Sequence, residues 1–150
     1  MSTDSTEQLP DEQGIPVLIV EVRGGLYAVD STAVREIVTM PVATRLPGAP
    51  AHVRGVVNLR GQLLTVVDLG HRLTATFLEA GEGSVVVVTV NERALGVLVD
   101  DVHEVQRLPI TPAGRDVLSR GDGLLTGVGR LDDEVVLVVD IPELVRQTLA

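Results

Sequence analysis

The stretch that decides the fold is Gly55-Val-Val-Asn-Leu-Arg-Gly-Gln-Leu-Leu-Thr-Val-Val-Asp-Leu69, because a second version of it occurs later in the chain. It aligns without a gap on Gly127-Val-Gly-Arg-Leu-Asp-Asp-Glu-Val-Val-Leu-Val-Val-Asp-Ile141, with identical Gly, Val, Leu, Val, Val and Asp. In each copy, apolar β-branched runs on both sides of a polar turn predict a β-hairpin. The sequence therefore indicates an internal duplication of one small β unit.

A further pair of hairpins supports the duplication. Each has two apolar strands around a short turn, each ends in Val-Asp, and each is followed by Glu and a β-branched residue. The offset between the copies is again about seventy residues. The paired segments are 17–30 with Glu36-Ile37, and 84–100 with Glu104-Val105.

Two such units fit the length of 150 residues, which is about one ordinary domain. Units this small bury little surface alone, so we expect the copies, roughly 15–83 and 84–150, to pack on a shared apolar core, an arrangement that allows terminal strands to be exchanged. Closure into small barrels would hide the strand edges. Residues 1–14 predict a disordered acidic tail. Short helices or helical turns are predicted at Ser31–Val38, Pro50–Arg54, Asp68–Leu73 and Pro142–Leu149.

Composition excludes several classes of function. The net charge is −9 and aromatic residues make up 1% of the chain, so nucleic-acid binding and attraction to anionic membranes are not expected. All twelve basic residues are arginine, which excludes a Schiff-base lysine and a P-loop lysine. With no cysteine, no signal-peptide pattern and no apolar run long enough to insert directly into a membrane, the sequence predicts a cytoplasmic protein.

Catalysis has little support in the sequence. His52, His71 and His103 show no metal-ligand spacing, so a metal site would have to be assembled by the fold, and no metal or cofactor is predicted. The repeat relates Asp68 to Asp140, which leaves a carboxylate-dyad hydrolase as an alternative. The simpler interpretation is that each aspartate caps the turn after its strand. A second alternative is a small-ligand sensor with a pocket between the barrels.

The two copies differ most at the hairpin turn. The first copy reads Asn58-Leu-Arg-Gly-Gln62, and the second reads Arg130-Leu-Asp-Asp-Glu134, an ordinary solvated acidic turn. Arg60 presents a planar guanidinium that suits a carboxylate or carbonyl group on a partner. Glu36 could orient that arginine or bind beside it.

Several motifs in the right order resemble the CheW-like domain of bacterial chemotaxis, over roughly residues 15 to 149. They are Tyr27-Ala-Val-Asp30, Val34-Arg-Glu-Ile37, Gly55-Val-Val-Asn-Leu-Arg-Gly61, Val66-Val-Asp-Leu69 and Gly96-Val-Leu-Val-Asp-Asp-Val-His-Glu-Val105. The resemblance implies an all-β fold with few short helices, in which two five-stranded SH3-like β-barrels share a hydrophobic core.

The same resemblance implies a function and its residues. It implies a non-catalytic adaptor that couples the cytoplasmic helical hairpin of chemoreceptors to the regulatory domain of a CheA-type histidine kinase, in arrays at the inner face of the membrane. Val34, Glu36 and Arg60 fall where members of the family contact receptor, and Gly55 falls where the backbone supports the kinase interface.

Overall fold

Strands dominate the structure, a computed structural model that describes residues 14–74 and 82–149. Within those ranges the chain forms eleven strands and three short helices. The strands are β1 (Ile15–Val22), β2 (Gly25–Asp30), β3 (Val34–Thr39), β4 (Val53–Leu59), β5 (Gln62–Asp68), β6 (Ser84–Val90), β7 (Arg93–Val99), β8 (Asp101–Leu108), β9 (Thr111–Pro112), β10 (Leu125–Leu131) and β11 (Glu134–Val139). The helices are α1 (Leu69–Thr74), α2 (Arg115–Arg120) and α3 (Ile141–Leu149).

The strands form two sheets that repeat one order. One sheet runs β8-β1-β2-β11-β10-β9, and the other runs β3-β6-β7-β5-β4. In each, an antiparallel hairpin from one copy pairs in parallel with a strand from the other copy, β2 with β11 and β7 with β5. The hairpins β1-β2 and β6-β7 are thus exchanged between the copies. Each sheet therefore contains strands from both sides of the boundary between residues 83 and 84.

Valine and leucine fill three connected regions of core. One cluster lies inside the β1-containing barrel around Val17, Ile19 and Val136, and a second lies inside the other barrel around Val57, Val66 and Leu98. The third and largest joins the barrels, with members from both sheets and from helices α1 and α3. The predicted all-β fold of two SH3-like barrels on a shared core is confirmed, with the two-residue β9 as a sixth strand in one sheet.

Helix prediction succeeded at two places. Helices α1 and α3 lie at the predicted positions after β5 and β11, and α3 packs on β6 and β7 of the other sheet. At Pro50–Arg54 the chain makes a turn, in which the Val53 amide donates to the Pro50 carbonyl at 3.0 Å, and continues as β4.

The helix predicted at Ser31–Val38 is wrong. A single 3-10 turn covers Ser31–Ala33, held by the Asp30 carboxylate, which accepts from the Thr32 amide at 2.9 Å. From Val34 the chain is strand β3, because its β-branched residues pair with the apolar strand β6. Of the tail predicted at residues 1–14, residues 1–13 lie outside the described residues, whereas Gly14 is buried against the backbone of Leu108.

Candidate functional site

The hairpin turn between β4 and β5 presents Arg60 at its tip. Arg60 and Gly61 have φ angles of 51° and 84°, and Leu59 pairs with Gln62 across the turn. Positive φ at both central residues is the geometry of a type I′ turn, which matches the twist of the flanking strands. The Gly61 amide also donates to the Asn58 side-chain oxygen at 2.9 Å. The backbone therefore fixes where the Arg60 side chain starts.

Arg60 forms an ion pair with Glu36 on β3. This contact joins the β4-β5 turn to the strand at the opposite edge of the sheet order, so it lies where the barrel closes. The Arg60 side chain is 65% exposed, whereas that of Glu36 is 23% exposed. An ion pair this exposed stabilises a fold by about 0–1 kcal/mol. Most of the Arg60 side chain thus remains accessible to another molecule.

Val34 lies on the same strand as Glu36 but contributes differently. A register shift separates Val34 from Glu36 in the pairing with β6, and Val34 is half-buried against the shared core. The structure brings the predicted Glu36 and Arg60 into direct contact. It places Val34 next to them along β3, where its side chain also belongs to the seam between the barrels.

Apolar side chains are exposed on the same two elements. Leu63, the cross-strand partner of Asn58, is 77% exposed on β5, and Ile37 is 44% exposed on β3. Buried contact with apolar groups supplies most of the energy of protein association, while charged groups give direction. The β4-β5 hairpin and β3 thus present a guanidinium, a carboxylate and exposed aliphatic side chains, which are groups suited to binding protein.

Gly55 acts through the backbone. It has a φ of 134°, and a Cβ atom there would lie 2.2 Å from the Thr44 carbonyl oxygen. Thr44 and Val56 exchange two backbone hydrogen bonds of 2.8 Å, which hold the loop before β4 against that strand. Glycine is required because a side chain would displace the loop.

The two repeated aspartates are structural. Asp140 accepts a hydrogen bond from the Glu143 amide at 3.0 Å, and Asp68 accepts one from the His71 amide at 3.2 Å, so each caps the helix after its strand as predicted. Asp68 is buried and also pairs with the guanidinium groups of Arg23 and Arg54. These roles do not support the hydrolase alternative, because a shared-proton dyad needs two carboxylates in direct contact.

The buried ion network around Asp68 is a feature that the sequence did not reveal. Asp68 pairs with Arg23 at 2.8 Å and with Arg54 at 3.2 Å, and Arg23 also pairs with Asp100 at 2.6 Å. Arg23 belongs to the β1-β2 turn, so it ties the exchanged hairpin to the other barrel. Gly70 makes room, since a Cβ there would lie 2.2 Å from the guanidinium carbon. The sequence signal that could have indicated this network is Arg23 in the β1-β2 turn, because the equivalent turn of the second copy has Asn91-Glu92 and no arginine.

A cavity of about 380 Å³ lies beside α1 and α3. Burial, together with the nearby charges of Arg72 and His71, lowers the pKa of His52 in its wall. The Arg72 guanidinium donates to the Gln147 side-chain oxygen at 2.7 Å, so much of the polar lining is used within the protein. The lining consists of Pro50, His52, Val53, His71, Arg72, Gln147 and Thr148. The buried Thr148 hydroxyl oxygen in this lining has no hydrogen-bond partner among the described residues. A lone polar atom of this kind does not define a ligand site, so the ligand-sensor alternative is not supported.

Comparisons with known proteins agree on one family. The sequence model of the CheW-like domain matches residues 16–149. A chemotaxis protein CheW from Klebsiella aerogenes is 31% identical over 135 residues, which cover 87% of this chain and 81% of the relative. A chemotaxis protein CheW from Treponema pallidum is 31% identical over 132 residues, covering 79% and 75%.

A solved structure shares the fold. It is that of the scaffolding protein TtCheW from Thermoanaerobacter tengcongensis, with a TM-score of 0.76 and 24% identity over 85% of this chain and 89% of that one. Among the residues that the structure describes, none of the helices is long and apolar enough to cross a membrane.

Proposed function

Because the chain belongs to the CheW-like domain family, we propose that it is a non-catalytic chemotaxis adaptor that couples chemoreceptors to a CheA-type histidine kinase. The observation that carries this proposal is the match of one family along residues 16–149, on a fold whose repeat-related Asp68 and Asp140 serve as helix caps. Function then depends on contacts between proteins.

The receptor-binding surface is assigned to Arg60, Glu36 and the adjoining Val34. A receptor presents a helical hairpin, whose side chains include carboxylates and carbonyl oxygens accessible to a guanidinium. Arg60 is exposed, held by a rigid turn and oriented by Glu36, which limits the side-chain entropy lost on binding. Exposed aliphatic groups such as Leu63 supply apolar contact. This combination supports directional recognition of a helix face.

The kinase-binding surface depends on Gly55. Its positive φ allows the Thr44 segment to lie against β4, so it supports the outer face of this barrel without contacting a partner through a side chain. The partner is the regulatory domain of the kinase, which pairs barrel to barrel with the adaptor. Recruitment to receptors places the chain in arrays at the inner face of the membrane.

Affinity capture from the native cytoplasm and detergent-solubilised membranes tests the proposal. The two tagged baits are the wild type and Arg60→Asp, and the recovered proteins are quantified by mass spectrometry. Tag-free wild-type protein is added in excess as a competitor, so that specifically bound proteins are recognised by their loss. The wild type is expected to recover receptors and a CheA-type kinase, and Arg60→Asp to recover the kinase with far less receptor. Recovery of neither class by the wild type would contradict the proposed function. Equal receptor recovery by both baits would contradict the assignment of Arg60.

A further inference from the structure

Three potential metal ligands converge on the outer barrel face, away from Arg60. The carboxylate oxygens of Glu21 and Asp101 and a ring nitrogen of His103 all lie within 4.8 Å of one another. His103 Nε2 lies 3.3 Å from the nearer Glu21 oxygen. Glu21 is half-buried, whereas Asp101 and His103 are exposed. Sequence spacing does not reveal this cluster, because Glu21 is far from the other two in the chain.

Strand register brings the three together. Glu21 on β1 and Asp101 on β8 are direct cross-strand partners, so their side chains leave the same face of the sheet. The pairing then shifts, because Leu18 opposes Val105 while Val20 opposes Val102. Two residues of β8 therefore oppose one residue of β1, which is a β-bulge. Bulges change the direction of the side chains they contain, and His103 is one of the two bulged residues.

The two carboxylates of the cluster have no arginine partner among the described residues, and the one basic group beside them is the His103 ring, 3.3 Å from Glu21. Like charges directly opposite each other on neighbouring strands destabilise a sheet. Within residues 14–74 and 82–149 no arginine pairs with Glu21 or Asp101, although Arg23 lies on the same hairpin as Glu21. The Arg23 guanidinium is engaged by Asp68 and Asp100 instead. A cation at the cluster would remove this repulsion.

We propose that Glu21, Asp101 and His103 bind one divalent transition-metal ion. An imidazole nitrogen with two carboxylate oxygens suits zinc and its neighbours better than magnesium or calcium, which prefer oxygen ligands alone. Three protein ligands leave further coordination positions for water, as in open zinc sites. Because β8 is the outermost strand of its sheet, the bound ion joins this edge strand to β1.

The test is titration of the tag-free, metal-free protein with zinc chloride by isothermal calorimetry, with thermal unfolding measured in parallel. The wild type is expected to bind one zinc ion saturably and to unfold roughly 5 °C or more higher at a hundredfold excess over Kd. His103→Gln and Glu21→Gln are expected to weaken binding about tenfold or more. Magnesium is expected to give no comparable signal.

Two control variants distinguish zinc binding at this cluster from zinc binding by other carboxylate and histidine side chains. Glu104→Gln removes a carboxylate from the same strand, and His52→Gln removes a histidine from the cavity beside α1; both are expected to bind zinc like the wild type. Far-UV circular dichroism without metal checks that each variant is folded. The proposal is overturned if the wild type shows no saturable binding, if His103→Gln and Glu21→Gln bind unchanged, or if His52→Gln abolishes binding. Its outcome is independent of the adaptor function.

Discussion

Arg60 and Asp132 occupy equivalent positions in the two repeated hairpins and share a left-handed backbone, with φ angles of 51° and 55°. Arg60 pairs with Glu36 on β3, whereas Asp132 is an exposed acidic residue of a solvated turn. The duplicated fold thus keeps the turn and changes the side chain that the turn presents. This difference points to a role for Arg60 in recognition, because an exposed ion pair contributes little to stability.

Arg60→Asp is expected to weaken receptor binding strongly while changing stability little. Aspartate tolerates positive φ, and Asp132 shows that it fits this turn. Loss of the exposed ion pair, with a new carboxylate near Glu36, should lower the melting temperature by about 4 °C at most. Binding is measured by co-sedimentation with a receptor cytoplasmic fragment. The control is Arg115→Asp, another exposed arginine; a similar binding loss there, or a large loss of stability in Arg60→Asp, would contradict the assignment.

Asp68→Ala is expected to destabilise the protein by about 3 kcal/mol or more, because it leaves the guanidinium groups of Arg23 and Arg54 without their buried carboxylate. Asp140→Ala is the matched control, since Asp140 caps its helix at the repeat-related position and its loss should cost about 1 kcal/mol. Urea unfolding measures both. Equal effects would show that the ion network contributes nothing beyond the cap.

Gly55→Ala is expected to destabilise the barrel by about 2 kcal/mol or more, since a Cβ would strain the positive φ and meet the Thr44 carbonyl. Gly127→Ala is the repeat-related control, where the nearest atom, at 2.6 Å, is a methyl carbon of the Ile110 side chain. We expect a smaller effect there, because a side chain can move more easily than backbone. Urea unfolding that ranks the two variants the other way would contradict the structural role of Gly55.

The stability of the protein is expected to fall as the pH drops below about 6.5, in part because of His52. Burial and the charges of Arg72 and His71 lower the pKa of His52 in the folded state. Between that lowered pKa and the ordinary value of about 6.5, the unfolded chain binds a proton that the folded one does not. Acidification therefore favours unfolding in this window. NMR titration of the imidazole measures the pKa, and His52→Gln should flatten the pH profile; a pKa at or above 6.5 would contradict this prediction.

The fold was largely predictable because valine-rich hairpins recur with a constant offset. The β4-β5 and β10-β11 hairpins, the aspartate caps and helices α1 and α3 all follow from local pattern. The segment from Val34 to Val38 was misassigned, since its apolar spacing also fits a helix. Pairing with β6, which local pattern cannot reveal, decides that it is a strand.

Non-local contacts account for what the sequence did not reveal at the site. The exchange of hairpins between the copies determines that Arg23 reaches Asp68, which local pattern cannot reveal. The sequence had offered Glu36 as a group that could orient Arg60, and barrel closure brings the two side chains into contact. Arg60 and Glu36 were singled out by the difference between the two hairpin turns, and the resemblance added Val34 and Gly55; the roles of all four in binding partners stay predictions. The structure adds that Glu36 and Arg60 touch, while Gly55 acts through the path of the backbone.

The central claim is that this chain joins receptor to kinase by contact alone, and reconstitution from purified parts tests it most directly. A receptor cytoplasmic fragment displayed on vesicles is mixed with the regulatory domain of a CheA-type kinase, with and without the chain, and the vesicles are sedimented. The account predicts that the kinase domain sediments efficiently only when the chain is present and that it does so poorly with Arg60→Asp. Equal sedimentation of the kinase domain with and without the chain would contradict the account.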